Sequence, residues 1–192
     1  EVWSQTLLRV LDVLGIGAFH LYGHNGGAAV AVETAFRANA RVQRLCLDAP
    51  ICFSTEERAR FGSRWLEGVE PITPVWDGSH LLRVWHMRRD MELWWPWFDR
   101  RNATTKKTEP RIDPARLTIE VREMMKQPAS FAPAWRANLD YPMAERLALT
   151  RQPCRVLVAA QDVFAPCASF ARTVRPDAAF LEIAGSSAAR AT

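Results

Sequence analysis

Short apolar runs alternate with helix-like spacings of apolar residues near both ends of this chain. Four such runs, bounded by Gly, Pro or charged residues, are typical of buried strands. The predicted strands cover residues 18–22, 42–48, 154–159 and 178–183. The predicted helices around them cover residues 2–14, 28–40 and 165–174. Strands that alternate with helices through short connections predict an α/β fold with a parallel sheet.

The middle of the chain, residues 52–152, contains helical periodicities but no convincing buried strand. The predicted helices there cover residues 54–66, 78–93, 113–126 and 133–151. Ser54 with Glu57, and Asp113 before Pro114, are N-terminal capping signals. Because about 100 residues is far longer than an ordinary loop, we predict a helical cap inserted between two strands. The predicted domains are a core of residues 1–51 and 153–192 and a cap of residues 52–152.

The composition excludes several classes of function. Of the 192 residues, 48% are apolar and 24% are charged, which is ordinary for a soluble globular protein. The 25 basic and 21 acidic residues are scattered, so no nucleic-acid surface is predicted. No apolar run is long enough for a membrane span. The four cysteines lack CxxC spacing and a paired His cluster, which predicts no metal site and a reducing, cytoplasmic location.

One turn carries the main chemical signal of the sequence. Gly23, Asn25 and Gly27 stand between the first predicted strand and the following helix, with the glycine spacing of the G-x-S-x-G nucleophile elbow. The central residue of such an elbow lies on a sharp, strained turn. Side chains at the two flanking glycines would collide with the neighbouring strand or helix.

The sequence resembles the capped α/β-hydrolases, which include epoxide hydrolases, haloalkane dehalogenases and C–C or ester hydrolases. Residues 11–15 and 21–27 resemble the helix, strand and elbow of that family, and residues 156–162 resemble its late strand and acid loop. The resemblance implies a partial hydrolase sheet, a fragment that lacks the early strands and the loop supplying one oxyanion-hole amide. Gly26, the residue after the elbow position, would supply the other amide.

The same resemblance implies positions for a nucleophile, a base and an acid. Asn25 stands where the family has Ser or Asp, and a neutral amide is a poor nucleophile. Asp162, directly after a predicted strand, is the expected acid; Asp48 is the alternative, although a turn cap is the simpler explanation for it. The expected base loop, residues 185–190, contains no His, so the base is either lost or lies beyond Thr192.

Two residues at the turn leave alternatives open. Gly26 after Asn25 favours backbone attack on the amide, and deamidation would leave the aspartate nucleophile of epoxide hydrolases and dehalogenases. A helix holding the Gly26 amide away would prevent this reaction. His24 either contributes to the site or packs beside the turn, and packing is the simpler interpretation.

An aromatic-rich segment lies within the predicted cap. Trp94, Trp95 and Trp97 are close together, and His80 precedes them. These side chains could line an apolar substrate pocket or form the core of the cap, and the sequence does not choose between the two. His80 and His86 are six residues apart, which puts them on different faces of a helix and predicts no metal site.

The sequence therefore predicts a hydrolase of a small, largely apolar substrate, acting on an ester, epoxide or related bond through Asn25. It implies no cofactor, and its expected partner is a small-molecule substrate, with neither nucleic acid nor membrane involved. The alternative is a non-catalytic protein of the same fold that binds a small ligand or a protein.

Overall fold

A computed structural model describes residues 1–184, without the side chains of residues 60, 61, 63, 168 and 169. Four parallel strands form one sheet in the order β1-β2-β3-β4. The strands are β1 Phe19–His24, β2 Val42–Asp48, β3 Cys154–Ala159 and β4 Ala179–Ile183. The helices are α1 Val2–Val13, α2 Gly26–Arg37, α3 Thr55–Leu66, α4 Ser79–Leu93, α5 Pro114–Met125, α6 Phe131–Asp140, α7 Met143–Leu149 and α8 Ala165–Val174.

The predicted α/β class and all four predicted strands are confirmed. The single helix predicted over residues 133–151 is wrong, because the structure has α6 and α7 there. Pro142 precedes α7 with a ψ of 66°, which is outside the helical range. A proline also disfavours helical backbone at the residue before it, here Tyr141, so one continuous helix is interrupted.

The chain divides into two compact units. The core unit comprises Glu1–Arg58 and Asn138–Thr192 and contains the sheet. The helical unit comprises Ala59–Ala137. In residues 1–184, no helix is both long and apolar enough to cross a membrane.

Small side chains bring α2 close to the sheet in the core unit. Ala28, Ala31, Val32 and Ala35 are at most 3% exposed and belong to the same buried cluster as Leu45. Because alanine projects only one methyl group, the helix axis can approach the strands closely. The first turn of α2 is thereby fixed next to the end of β1.

A buried carboxylate joins α2 to the segment between α6 and α7. Glu33, which is 2% exposed, accepts hydrogen bonds from Arg37 at 2.6 Å and from the Tyr141 hydroxyl at 3.0 Å. Arg58 donates to the Tyr141 carbonyl at 3.1 Å. Buried charges require such partners. These contacts hold the end of α6, including Asn138, near the start of α2.

Aromatic rings form the centre of the helical unit. Trp97 is 5% exposed and packs in a cluster with Val69 and Ala132. The Trp95 ring lies between neighbouring indoles, with its centroid 5.8 Å from that of Trp97 and 5.7 Å from that of Trp135. These separations are within the range of favourable aromatic pairs.

Both predicted capping signals are present in the structure. The Glu57 amide donates to Ser54 Oγ at 3.1 Å, while the Ser54 amide donates to the Glu57 carboxylate at 2.9 Å. This reciprocal pair is a capping box. At the start of α5, Asp113 accepts a hydrogen bond from the Ala115 amide at 2.9 Å.

Candidate active site at a strand–helix turn

A single residue, Asn25, connects the end of β1 to the start of α2. Its φ is 47° and its ψ is −115°, a sparsely populated region for any residue with a side chain. Two backbone hydrogen bonds hold this conformation: the Asn25 amide donates to the Asp48 carbonyl at 2.9 Å, and the Ala28 amide donates to the Asn25 carbonyl at 3.0 Å. The turn therefore joins β1, β2 and α2 at the carboxyl edge of the sheet.

The two flanking glycines have different environments. A Cβ added at Gly23 would lie 2.5 Å from the Gly27 carbonyl oxygen and 2.7 Å from the Ala28 Cα, so the predicted collision is confirmed there. At Gly27 the predicted collision is wrong, because an added Cβ would meet nothing within 4 Å apart from its chain neighbours and the nearby backbone of its own helix. The backbone contact between strand and helix thus excludes a side chain from Gly23 but not from Gly27.

Asn138 is a neighbour of the turn that sequence reasoning missed. A Cβ added at Gly26 would lie 3.3 Å from Asn138 Nδ2, so this side-chain amide borders the first residue of α2. The two residues are far apart in the sequence, and no motif connects them. The packing of α7 against α2 brings them together.

Two side-chain atoms at the turn are buried without a hydrogen-bond partner among the described residues. They are Asn25 Oδ1 and His24 Nε2. Buried polar atoms normally have partners, and an unpaired one is costly. Such atoms are suited to form a hydrogen bond with a bound molecule.

Both predicted acid candidates follow the neighbouring strands. Asp48 ends β2, is 1% exposed, and accepts a hydrogen bond from the Tyr22 hydroxyl at 2.7 Å. Asp162 follows β3, is 9% exposed, and accepts a hydrogen bond from the Phe164 amide at 2.9 Å. Since carboxyl ends of parallel strands share one edge, both carboxylates lie on the same sheet edge as Asn25.

The cysteines of the chain are poorly suited to act as nucleophiles. Burial raises the pKa of Cys52 and of Cys167 to about 12 and that of Cys154 to about 11. Burial also raises the pKa of Cys46. Since the thiolate is the reactive form, these side chains stay protonated and unreactive near neutral pH.

Histidines and metal ligands do not complete a site in the described part of the chain. Residues 185–190, where a base loop is expected, lie outside the described residues. His80 accepts a hydrogen bond from the Val75 amide at 3.2 Å, and the His86 ring packs against Trp85. Within residues 1–184, no group of three or more His, Cys, Asp or Glu side chains could hold a metal ion.

The four predicted pocket residues all lie in the helical unit, but they do not share one environment. His80 and Trp97 line a small cavity of about 140 Å³ together with Arg83 and Met87. Trp95 belongs to the aromatic cluster. Trp94 pairs with Thr105 in an isolated bridge, and the Arg100 guanidinium lies 5.9 Å from its ring centroid. Trp97 therefore contributes both to the cavity and to the core.

Comparison with known proteins identifies the fold. The structure is similar to a hydrolase from Pseudomonas aeruginosa, with a TM-score of 0.60 and 18% identity over 95% of this chain and 63% of that one. It is also similar to a carboxylesterase from the ammonia-oxidizing thaumarchaeon Nitrososphaera gargenis, with a TM-score of 0.61 and 15% identity over 95% and 62% of the two chains.

A third similar structure is the candidate non-heme bromoperoxidase BpoC from Mycobacterium tuberculosis, with a TM-score of 0.58 and 18% identity over 95% and 65% of the chains. No family model and no curated protein matches the sequence. The chain has the α/β-hydrolase fold, and it spans less than two thirds of the length of these three chains.

Proposed function

We propose that this protein is a hydrolase of a small, largely apolar substrate with an ester, epoxide or related bond, and that Asn25 occupies its nucleophile position. The observation that carries the proposal is the conformation of Asn25, with a φ of 47° on a one-residue turn between a parallel strand and a helix. A nucleophile elbow has this arrangement. The similar structures from Pseudomonas aeruginosa and Nitrososphaera gargenis are described as a hydrolase and a carboxylesterase.

The proposal gives roles to the neighbours of Asn25. The Gly26 amide, at the positive end of the α2 dipole, would stabilise negative charge developing on a substrate oxygen. Asp162 would orient a base, with Asp48 as the alternative on the adjacent strand. The encoded amide of Asn25 cannot attack a carbonyl carbon or an epoxide, so full activity requires an oxygen nucleophile at this position.

Substituting the elbow residue tests this proposal. We expect Asn25→Ser to raise the hydrolysis of short aryl esters, and Asn25→Asp that of small epoxides or haloalkanes, each by at least about tenfold over protein that retains the Asn25 amide. Asn102→Asp, which makes the same change at an exposed residue, is the matched control and should leave the rates unchanged. Folded variants at position 25 with no gain on any of these substrates would contradict the proposal.

A second function is favoured by the encoded side chain itself. Asn25 is neutral, and its Oδ1 is buried without a hydrogen-bond partner among residues 1–184. A non-catalytic protein could use this oxygen to accept a hydrogen bond from a ligand N–H or O–H group, and the Asn25 Nδ2 group to donate one to a ligand carbonyl, without attacking it. Calorimetry distinguishes the two: the binding function predicts that the encoded protein takes up a small apolar amide or ester unchanged, and that Asn25→Ala weakens this binding.

A further inference from the structure

We infer that Asn25 is a self-modification site, where the side-chain amide becomes a carboxylate through a cyclic imide formed with the Gly26 nitrogen. The modification itself is independent of the proposed function. Its catalytic consequence rests on that function, because a carboxylate at position 25 would supply the missing oxygen nucleophile.

The backbone of Asn25 already has the shape of the imide. A five-membered ring through Cα, Cβ, Cγ, the Gly26 nitrogen and the main-chain carbonyl carbon requires that nitrogen to eclipse Cβ. The Cβ of an L-residue is offset by about 120° from its own nitrogen around the Cα–C bond. A ψ of −115° therefore places the Gly26 nitrogen almost in line with Cβ.

The start of α2 leaves the attacking nitrogen available. The sequence left open whether a helix holds the Gly26 amide away from the side chain, and in the structure Gly26 is the first residue of α2. The N–H groups of a first helical turn have no intrahelical acceptor. Gly26 also carries no Cβ that would obstruct approach to Cγ.

The other three asparagines of the chain lack this combination. Asn39 is followed by Ala40, Asn102 by Ala103 and Asn138 by Leu139, so each following residue has a Cβ. Asn102 begins a 3₁₀ turn and Asn138 lies within α6. Helical ψ values of about −20 to −45° leave the next nitrogen well away from Cβ. Conformation and sequence therefore favour the reaction only at Asn25.

The reaction consumes one water molecule and releases one ammonia molecule. The Gly26 nitrogen gives its proton to solvent and forms a bond to Asn25 Cγ; the Cγ–Nδ2 bond breaks, and Nδ2 leaves as ammonia. Water then adds to Cγ of the imide and breaks its bond to the Gly26 nitrogen. This restores the peptide amide and leaves an aspartate, with no oxidant or cofactor required.

Opening the ring at the main-chain carbonyl would give isoaspartate instead. That product inserts a methylene group between the Asn25 amide, bonded to Asp48, and the Asn25 carbonyl, bonded to Ala28. The two hydrogen bonds could not both keep their geometry in the longer backbone. We therefore expect aspartate to be the main product in the folded protein.

The test compares two Asn-Gly pairs within one protein. Ala103→Gly creates a second pair at Asn102, an exposed residue on a helical turn. Peptide mass spectrometry follows the replacement of amide by carboxyl at both positions during incubation of the folded protein and of the urea-unfolded chain. In the folded protein we expect position 25 to convert at least about tenfold faster than position 102, because the ψ of Asn25 brings the next nitrogen in line with Cβ and a helical ψ at Asn102 does not. In the unfolded chain the two rates should be similar.

Protein that is already converted at position 25 on isolation, but intact at position 102, would also support the inference. An equal or slower rate at position 25 in the folded protein would overturn it. Turnover by directly encoded Asn25→Asp tests the proposed function separately. Folded Asn25→Asp and Asn25→Ser variants that are both inactive beside rapid conversion would refute the hydrolase proposal alone, whereas an active Asn25→Asp variant beside an unconverted Asn25 would refute the modification alone.

Discussion

The core unit and the helical unit achieve close packing in different ways. In the core unit, α2 meets the sheet through alanines and through direct contact between the backbones at Gly23 and Gly27. In the helical unit, large indole rings fill the centre, with Trp95 and Trp97 packed against their neighbours. The core unit packs closely because small side chains let α2 approach the sheet. The helical unit packs closely because large aromatic side chains fill its centre.

One buried carboxylate in each unit illustrates a second difference. Glu33 of the core unit is buried and joins two chain segments that are distant in sequence. In the helical unit, Asp90 is 1% exposed and is paired with Arg89 and Arg100, both at 2.6 Å, close to it in sequence. In the core unit, the backbone geometry of the Asn25 turn therefore depends on contacts between residues that are far apart in the sequence. In the helical unit, Asp90 pairs with nearby positions, while other ion pairs, such as that of Arg88 with Glu120, join positions far apart in the sequence.

The largest expected effect is the removal of an indole from the helical unit. Trp97→Ala should lower the free energy of unfolding of that unit by about 3–5 kcal/mol, because it leaves a cavity among the surrounding rings. Amide hydrogen exchange of α4 and α5 in the variant measures this loss.

Trp76→Ala is the matched control for this change. Trp76 is 99% exposed, so its truncation should alter the free energy of unfolding by less than about 0.5 kcal/mol. A small effect of Trp97→Ala, similar to that of Trp76→Ala, would show that the indole cluster does not form the core of the helical unit.

A smaller change in the free energy of unfolding is expected at the turn, with opposite signs at Gly23 and Gly27. Gly23→Ala should lower the free energy of unfolding by about 1–3 kcal/mol or more, because its Cβ would meet backbone atoms that cannot move aside. Gly27→Ala should raise it by up to about 1 kcal/mol, since alanine favours helix and the added methyl meets open space. Urea unfolding of both variants tests the pair, and an equal cost at the two glycines would contradict the backbone contact.

Much of the core unit was predictable from local sequence. The strand boundaries at Val42–Asp48 and Cys154–Ala159 agree with the predicted runs, because Gly, Pro and charged residues end these apolar segments sharply. The turn at Asn25 was also predictable from the spacing of its glycines. The predicted collision of an added side chain occurs only at Gly23, however, because the backbones of β1 and α2 are in contact there, whereas Gly27 faces open space.

The remainder depends on contacts that no local pattern contains. The position of Asn138 beside Gly26 results from packing between segments far apart in the sequence. The interruption before α7 was missed because the spacing of apolar residues continues through Pro142. The ψ of Asn25, which favours attack of the Gly26 nitrogen on the Asn25 side chain, could not be predicted either, because hydrogen bonds with Asp48 and Ala28 fix it.

The smallest expected effect concerns two exposed carboxylates, one in each unit. The hydrogen bond from Arg175 lowers the pKa of Asp177 from its ordinary value of 3.8, and that from Lys126 lowers the pKa of Glu123 from 4.5. A carboxylate whose pKa is lower when folded stabilises the protein above its unfolded pKa, and this contribution is lost as the pH falls through the folded pKa.

Asp177→Asn should weaken this acid dependence more than Glu123→Gln. Arg175 is 5% exposed and also donates to the Thr150 carbonyl at 2.8 Å, so it is held in place for Asp177. The Lys126 side chain is 64% exposed and must be ordered to reach Glu123. Urea unfolding at neutral pH and in acid, with NMR titration of both carboxyls, measures the difference. Equal losses of acid dependence in Glu123→Gln and Asp177→Asn would contradict this expectation. They would show that a buried partner such as Arg175 stabilises a surface carboxylate no more than an exposed partner such as Lys126 does.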